Sequence, residues 1–309
     1  MAARSGPPVK FVHAHGVLEV DRPLIMGVVN ASPESFSDSG ALAAAGVAER
    51  AAHALAMAEA GAHVVDIGGQ SARTDQPEIP VELEIDRVGT LIEAIRRASD
   101  VVISIDTYRP EVARAAVAAG ASIVNDVSGL ADPGLVDLVA SSGAGLIVMH
   151  TRLAPKTRLS RDDSFYGSPA EVVDDVVSFL AGRLDLLERS GVSREQVIVD
   201  PGPDFAKTPA QTVAALRGLP ELARLGRPIL LALSRKDVIG AITGQPPRAR
   251  AAGTLAAIGF CIGLAPHSLL RVHDVDATRD YLAVLAAFEG EHDLAWDEPL
   301  SDRLRYDRP

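Results

Sequence analysis

Four apolar runs in this chain each end in a side chain that can accept or donate hydrogen bonds. Asn30 follows Ile25-Met26-Gly27-Val28-Val29, and Asp106 follows Val102-Ile103-Ser104-Ile105. Asn125 follows Ser122-Ile123-Val124, and Asp200 follows Val197-Ile198-Val199. If the runs are buried parallel strands, these groups stand at the carboxyl ends, where α/β proteins bind ligands. Asp106, Asn125 and Asp200 together suit the donor edge of a nitrogen heterocycle, because a carboxylate pairs well with an amino group beside a ring N–H. Cations follow other runs: Arg73, Ser234-Arg235-Lys236 and Arg271-Val272-His273. Guanidinium forks and imidazolium donors suit phosphate oxygens. Asn30 offers a neutral amide oxygen that could hold Mg2+ beside a phosphate. One pocket with an acidic and amide floor and a basic rim would take a heterocycle at one end and a diphosphate at the other.

The elements that would position these groups alternate from Leu24 onward. Strands are expected at 24–29, 63–67, 101–105, 122–125, 145–149, 197–199, 229–233 and 269–272, with helices at 43–60, 80–97, 110–119, 133–141, 169–190, 209–223, 248–264 and 275–288. The strands are β-branched and almost continuously apolar, as when helices cover the outside of a parallel sheet. Gly61, Gly120, Gly143 and Gly191 each sit just past a helix, where a left-handed cap favours glycine. Eight such units predict an α/β fold, a (β/α)8 TIM barrel of about 250 residues. A doubly wound sheet is the runner-up, with fewer units and fewer strands at its ligand site.

Two short alternating runs about Gly16 predict an N-terminal β-hairpin that could plug one end of the barrel. His13 and His15 are expected on its exposed face. The domain reading is a lead and hairpin over 1–20, a barrel over 21–289 and a polar tail over 290–309. The longest irregular stretch is 151–169, a length usual for lids.

Composition removes several classes of function. With 41 acidic and 30 basic residues the formal net charge is −11, which argues against a nucleic-acid binder that works by bulk charge. No apolar run reaches membrane-spanning length, and the first ten residues lack the apolar core of a signal peptide. A cytoplasmic protein with no membrane or nucleic-acid partner is expected. Aromatic residues are 4% of the chain, so aliphatic side chains must fill the core. The only cysteine, Cys261, lies in an apolar run and is expected to be a buried structural thiol.

Several motifs together resemble the dihydropteroate synthase family, in that family's order and over roughly 24–280. They are Met26-Gly27-Val28-Val29-Asn30, Ser32-Pro33-Glu34-Ser35-Phe36-Ser37-Asp38, Asp66-Ile67-Gly68-Gly69 with Arg73, and Ser104-Ile105-Asp106-Thr107. Further along come Ile123-Val124-Asn125-Asp126, Asp200-Pro201-Gly202, Ser234-Arg235-Lys236 and Arg271-Val272-His273. Each alone is weak, and their joint order is specific. The resemblance implies condensation of 7,8-dihydropterin-6-ylmethyl diphosphate with 4-aminobenzoate, giving 7,8-dihydropteroate and diphosphate. It places the pterin on Asp106, Asn125, Met149, Asp200 and Lys236, of which Asp106, Asp200 and Lys236 act in catalysis. It places the diphosphate on Asn30, Arg73, Arg271 and His273, with Mg2+ at Asn30. The arylamine would meet Ser35, Phe36, Ala72, Phe205 and Ser234. A homodimer through the outer helices is usual for the family.

Departures cluster on the arylamine side. Where the family reads Glu-Ser-Thr-Arg-Pro, this chain has Gln70-Ser71-Ala72-Arg73-Thr74, and Gly-Phe-Gly-Lys becomes Asp204-Phe205-Ala206-Lys207. The loop after the fifth strand reads His150-Thr151-Arg152-Leu153, in place of the family's glycine-containing loop. A divergent paralogue that keeps pterin binding but lacks the synthase activity or uses another amine is therefore the alternative. A methyltetrahydrofolate-type methyltransferase shares the heterocycle floor but needs no diphosphate site, so it ranks below both. Blander roles are expected elsewhere: a helix N-cap or a structural hydrogen bond for Asp66 and Asp126, a satisfied core imidazole for His150, a solvated charge for Lys207, and surface or packing roles for His53, His63 and His267.

Overall fold

The structure is a computed structural model that describes residues 7–31, 46–70, 74, 76–160, 163, 165–291, 294–295 and 297–305. Ser35, Phe36, Ala72 and Arg73 lie outside the described residues.

Eight parallel strands close on themselves: β3 (Leu24–Asn30), β4 (Val64–Gly68), β5 (Val102–Asp106), β6 (Ile123–Asp126), β7 (Gly145–Met149), β8 (Val197–Asp200), β9 (Ile229–Leu231) and β10 (Ser268–Val272), with β10 beside β3. Closure settles the architecture as a (β/α)8 barrel and excludes the doubly wound sheet. Its helices are α1 (Val47–Glu59), α2 (Val81–Arg96), α3 (Pro110–Ala119), α4 (Gly134–Ser142), α5 (Pro169–Arg189), α6 (Pro209–Arg217), α7 (Leu219–Ala223), α8 (Asp237–Thr243), α9 (Ala251–Leu264) and α10 (Val275–Glu289). The single helix expected over 209–223 is two. Gly218 separates them where the backbone passes so close to α5 that an added Cβ would lie 2.6 Å from Val173. The short α8 was not expected from the sequence. The left-handed glycines are as expected, with Gly120 at φ 119° and Gly143 at φ 70° capping α3 and α4.

The barrel is filled from one end with apolar side chains. Met26, Val64, Ile123, Ile147, Ile198, Leu230 and Leu269 point inward and share a buried cluster with Phe11 and Val20 of the hairpin β1 (Val9–His13) and β2 (Gly16–Val20). The hairpin is thus a plug. Phe11 is fully buried against Gly145, where an added Cβ would come 2.5 Å from the Phe11 ring. Arg227 clasps the plug, donating to the carbonyls of Lys10 at 2.6 Å and Val197 at 3.0 Å. His13 does not lie on an exposed face: it is buried beside Gly145, and burial pulls its imidazole down to about 4, so it is neutral. His15 is exposed as expected.

Strand side chains alternate faces with a period of two. Stepping from the apolar layer toward the carboxyl ends, Val64 leads to Asp66, Val102 to Ser104 and then Asp106, and Ile123 to Asn125. Ile147 likewise leads to Met149, Ile198 to Asp200, and Leu269 to Arg271. The same alternation that builds the plugged core delivers the polar groups to the open mouth.

Candidate active site

The floor of the mouth is a bonded set of four side chains. The Arg271 guanidinium spans two carboxylates, with Nε donating to Asp66 Oδ2 and Nη2 to Asp106 Oδ2, each at 2.6 Å. Asn125 Nδ2 donates to the same Asp66 oxygen at 3.1 Å, and since a carboxylate can only accept, this fixes the orientation of the amide. Asn125 Oδ1 and Asp66 Oδ1 are buried with no hydrogen-bond partner among the described residues. Arg271, which the resemblance puts at the diphosphate, here spans the two floor carboxylates. Asp66 is not a helix cap; it is the buried anchor of the set.

Asp200 stands beside this set and accepts from the Gly202 N–H at 2.7 Å. Burial raises its carboxyl to about 6, opposed by that hydrogen bond and by Lys236 and Lys207. Burial also raises Asp106, against the pull of Arg271. Met149 is buried on the adjacent strand, paired in register with Asp200. Lys236 stacks its ammonium 4.4 Å from the centre of the Phe205 ring, and burial lowers its affinity for a proton.

The loop from Asp200 to Phe205 is wrapped around Lys207, which is buried and not a solvated charge. Lys207 Nζ donates to Gly202 O at 3.0 Å, Phe205 O at 3.2 Å and His150 Nδ1 at 2.8 Å. His150 Nε2 passes the chain on to Asp175 Oδ2 at 2.9 Å, which also accepts from Tyr166 at 2.7 Å and Arg152 at 2.8 Å. His150 is the satisfied core imidazole expected, held neutral by burial, which lowers it to about 4. Burial likewise lowers Lys207 to about 7. Gly202 is at φ 65°, and a Cβ there would lie 2.0 Å from His150 O, so the loop turns tightly over the β7 end.

On the opposite side, His273 Nδ1 lies 2.9 Å from Ser234 Oγ. Burial and the nearby cations Arg235, Arg271 and Lys236 depress His273 to about 3, so it is a neutral imidazole in a cationic corner. Asn30 closes β3 with its amide oxygen facing Gly68, and buried Arg50 donates to its carbonyl. One neutral protein oxygen suits Mg2+, which takes most of its shell from water and phosphate. Among the described residues no three His, Cys, Asp or Glu side chains are grouped to hold a metal.

Asp204 replaces a family glycine in a backbone conformation at φ 66° that favours glycine. Its carboxylate does not face open solvent. Oδ2 accepts from the Asp237 N–H at 2.5 Å and Oδ1 from Val238 N–H at 3.3 Å, so it caps the start of α8, with Thr212 donating from behind at 3.3 Å. Gln70, just past β4, accepts from Ile79 N–H and donates to Tyr108, each at 3.0 Å.

A family model described as "Pterin binding enzyme" matches residues 26–273. A dihydropteroate synthase of Synechocystis is 42% identical over 259 residues, covering 83% of this chain and 86% of the relative. A protein named inactive dihydropteroate synthase 2 of Mycobacterium leprae is also 42% identical, over 273 residues, covering 87% and 92%. Among solved structures, a Xanthomonas albilineans dihydropteroate synthase with 4-aminobenzoic acid is similar at a TM-score of 0.81 and 39% identity, covering 91% of this chain and 98% of that one.

Proposed function

The chain belongs to the family of pterin binding enzymes, and from that membership we propose that it is a dihydropteroate synthase. It is a transferase that joins 7,8-dihydropterin-6-ylmethyl diphosphate to 4-aminobenzoate. The observation that carries the reading is the floor. Three strand ends bring Asp106, Asn125 and Asp200 to one pocket, and Asn125 Oδ1 is a buried acceptor without a donor among the described residues. A pterin supplies donors of that kind along one edge.

The geometry suits a dissociative displacement. The bond from the pterin methylene carbon to the diphosphate oxygen breaks, and its electron pair leaves with the diphosphate. The methylene cation is delocalised into the pterin, and the amine nitrogen then attacks and loses a proton to solvent. Asp106 and Asp200 lie where positive charge develops, so their fixed negative charge lowers the barrier. His273 offers a donor on the side of the leaving group, and Lys236 keeps the pterin role that the resemblance gives it. When bound with the diphosphate, Mg2+ neutralises the leaving charge, and Asn30 is the side chain that would hold it. Arg73, Ser35, Phe36 and Ala72 keep the roles the resemblance gives them, Arg73 at the diphosphate and the others at the amine.

A second reading has specific support. The carboxylate of Asp204 stands on the amine side beside Lys236, where it opposes a second carboxylate, and a relative of equal identity is named inactive. In that reading pterin binding persists and 4-aminobenzoate is not joined. Purified protein with pterin diphosphate and Mg2+, with and without 4-aminobenzoate, separates them. Amine-dependent diphosphate release with dihydropteroate formed supports the synthase, and pterin binding without such release supports the second reading.

We also infer a cytoplasmic homodimer. Exposed Ile242 on α8 and Phe260 on α9 give an outer face suited to a second copy, and sedimentation tests it. Among the described residues no helix is long and apolar enough to cross a membrane. Cys261 is buried and its thiol is raised to about 12 by burial, as expected of a structural residue.

A further inference from the structure

We infer that Arg250 and Thr254 are positioning residues for the pterin subsite: together they hold Arg235 in a left-handed turn that sends Ser234 to His273 and Lys236 to Phe205. The inference rests on the pterin-binding reading above.

The chain leaving β9 turns sharply at Ser234. Lys236 N–H donates to Leu233 O at 3.3 Å, which closes a four-residue turn. The third residue of that turn is Arg235, at φ 61°. A turn with a left-handed third residue favours glycine there, because a Cβ crowds the backbone. A residue with a side chain stays in such a conformation where its surroundings over-determine it, and strain of this kind gathers at functional sites. Here the turn separates two groups of the site. In an extended chain residues 234 and 236 would face the same way. Instead Ser234 Oγ lies 2.9 Å from His273 Nδ1, and Lys236 Nζ lies 4.4 Å from the centre of the Phe205 ring.

Both backbone groups of Arg235 are held from the start of α9. Its N–H donates to Thr254 Oγ1 at 3.1 Å, and its carbonyl accepts from Arg250 Nη1 at 2.8 Å. The same Nη1 lies 3.0 Å from Lys236 O and 3.0 Å from Asp237 Oδ1, while Nε donates to Gln245 O at 2.9 Å. Thr254 Oγ1 donates to Arg250 O at 2.8 Å, so the two clamps brace each other. Both side chains are buried. The guanidinium is wedged against α8, where a Cβ added to Gly240 would lie 2.1 Å from Nη2. A rigid fork of donors suits several acceptors fixed in this way. The clamps thus grip the backbone that carries Lys236.

The test removes the side chain of residue 235 in two ways. Arg235→Gly accepts the left-handed turn freely and Arg235→Ala does not, while both lose the guanidinium. Affinity for 6-hydroxymethylpterin is measured by calorimetry in each, with and without Arg250→Gln. With Arg250 in place the two should bind alike. With Arg250→Gln the alanine version should lose affinity roughly tenfold, the penalty of a left-handed residue that carries a Cβ, and the glycine version much less. A role for Arg250 in general stability alone would weaken both equally. Thr254→Val keeps the shape of the side chain but removes the acceptor of the Arg235 N–H. It should give the same order and guards against misfolding of Arg250→Gln. A glycine version that loses as much as the alanine version, or no loss in either, overturns the positioning role and leaves the pterin reading standing. Failure of the pterin alcohol to bind the unaltered protein overturns both.

Discussion

The floor and the amine wall share one mouth but are held by different means. Asp66, Asp106, Asn125, Asp200 and Arg271 ride on strands, and their positions follow from the register of a closed sheet. To move one of them inward or outward, a strand would have to slip and turn its entire apolar set out of the core. Phe205, Asp204 and Thr74 ride on loops, whose changes leave the barrel untouched. The family pattern is intact on the first set, while on the second Phe205 is kept and Asp204 and Thr74 depart from it. Selection on a barrel of this kind can reshape the second substrate while the first stays fixed, because the two subsites draw on structurally independent parts of the chain.

The contrast is broken most directly at Asp200. Asp200→Asn should weaken binding of 6-hydroxymethylpterin roughly a hundredfold, the scale of two hydrogen bonds to a charged group, measured by calorimetry. The same variant should raise stability at pH 8. The folded carboxyl sits at about 6, above its ordinary value of 3.8, so the folded state holds the proton more tightly. Its contribution to stability is therefore full below 3.8 and is lost as pH rises through about 6. Removing the charge should recover this loss as a Tm higher by about 2 °C, seen at pH 8 but not at pH 4. An unchanged pterin affinity would remove Asp200 from the floor.

Lys207 tests whether the floor depends on the wall. Lys207→Met leaves Gly202 O, Phe205 O and His150 Nδ1 without their donor. A destabilisation of about 2–3 kcal/mol is expected in urea unfolding, with weaker pterin binding because the Asp200 loop loses its support. Full stability together with full binding would show that the loop holds itself.

A pH titration of pterin affinity sharpens the comparison without mutation. Acceptance by Asp200 needs the carboxylate, so affinity should fall by about tenfold per pH unit as pH drops below about 6. Asp200→Asn should flatten that limb. The smallest effect belongs to the wall. Asp204→Gly removes a cap worth about 1 kcal/mol and relieves a left-handed backbone that costs a similar amount, so stability should barely change. KM for 4-aminobenzoate should drop by a few-fold, the scale of one screened like charge, with pterin affinity unchanged. A shift in pterin affinity instead would mean that floor and wall are not separable.

Strand-borne chemistry was readable because the period of two and the end of each apolar run are visible in the residues themselves. Asp106, Asn125 and Asp200 follow from that, and the alternation that places Asp106 in the mouth also implies Ser104 and Asp66 one step deeper. That parity was the signal available for Asp66. The partner of Arg271 was not readable, because Asp66 and Asp106 are 205 and 165 residues away and a guanidinium suits a phosphate as well as a carboxylate. Lys207 looked solvated because the groups that wrap it are backbone carbonyls, which leave no trace in composition. His13 looked exposed because a two-stranded ribbon shows the same alternation whichever face the barrel covers.

The plug has a consequence for how the chain is made. Phe11 leaves the ribosome before any strand of the barrel, yet its seat against Gly145 does not exist until half the barrel has been synthesised. The clasp from Arg227 to Lys10 arrives 217 residues after the strand it secures. The amino-terminal ribbon must therefore wait, with an aromatic side chain uncovered, until late in translation. Its closure onto the barrel is a long-range step that marks completion of the fold and not its beginning.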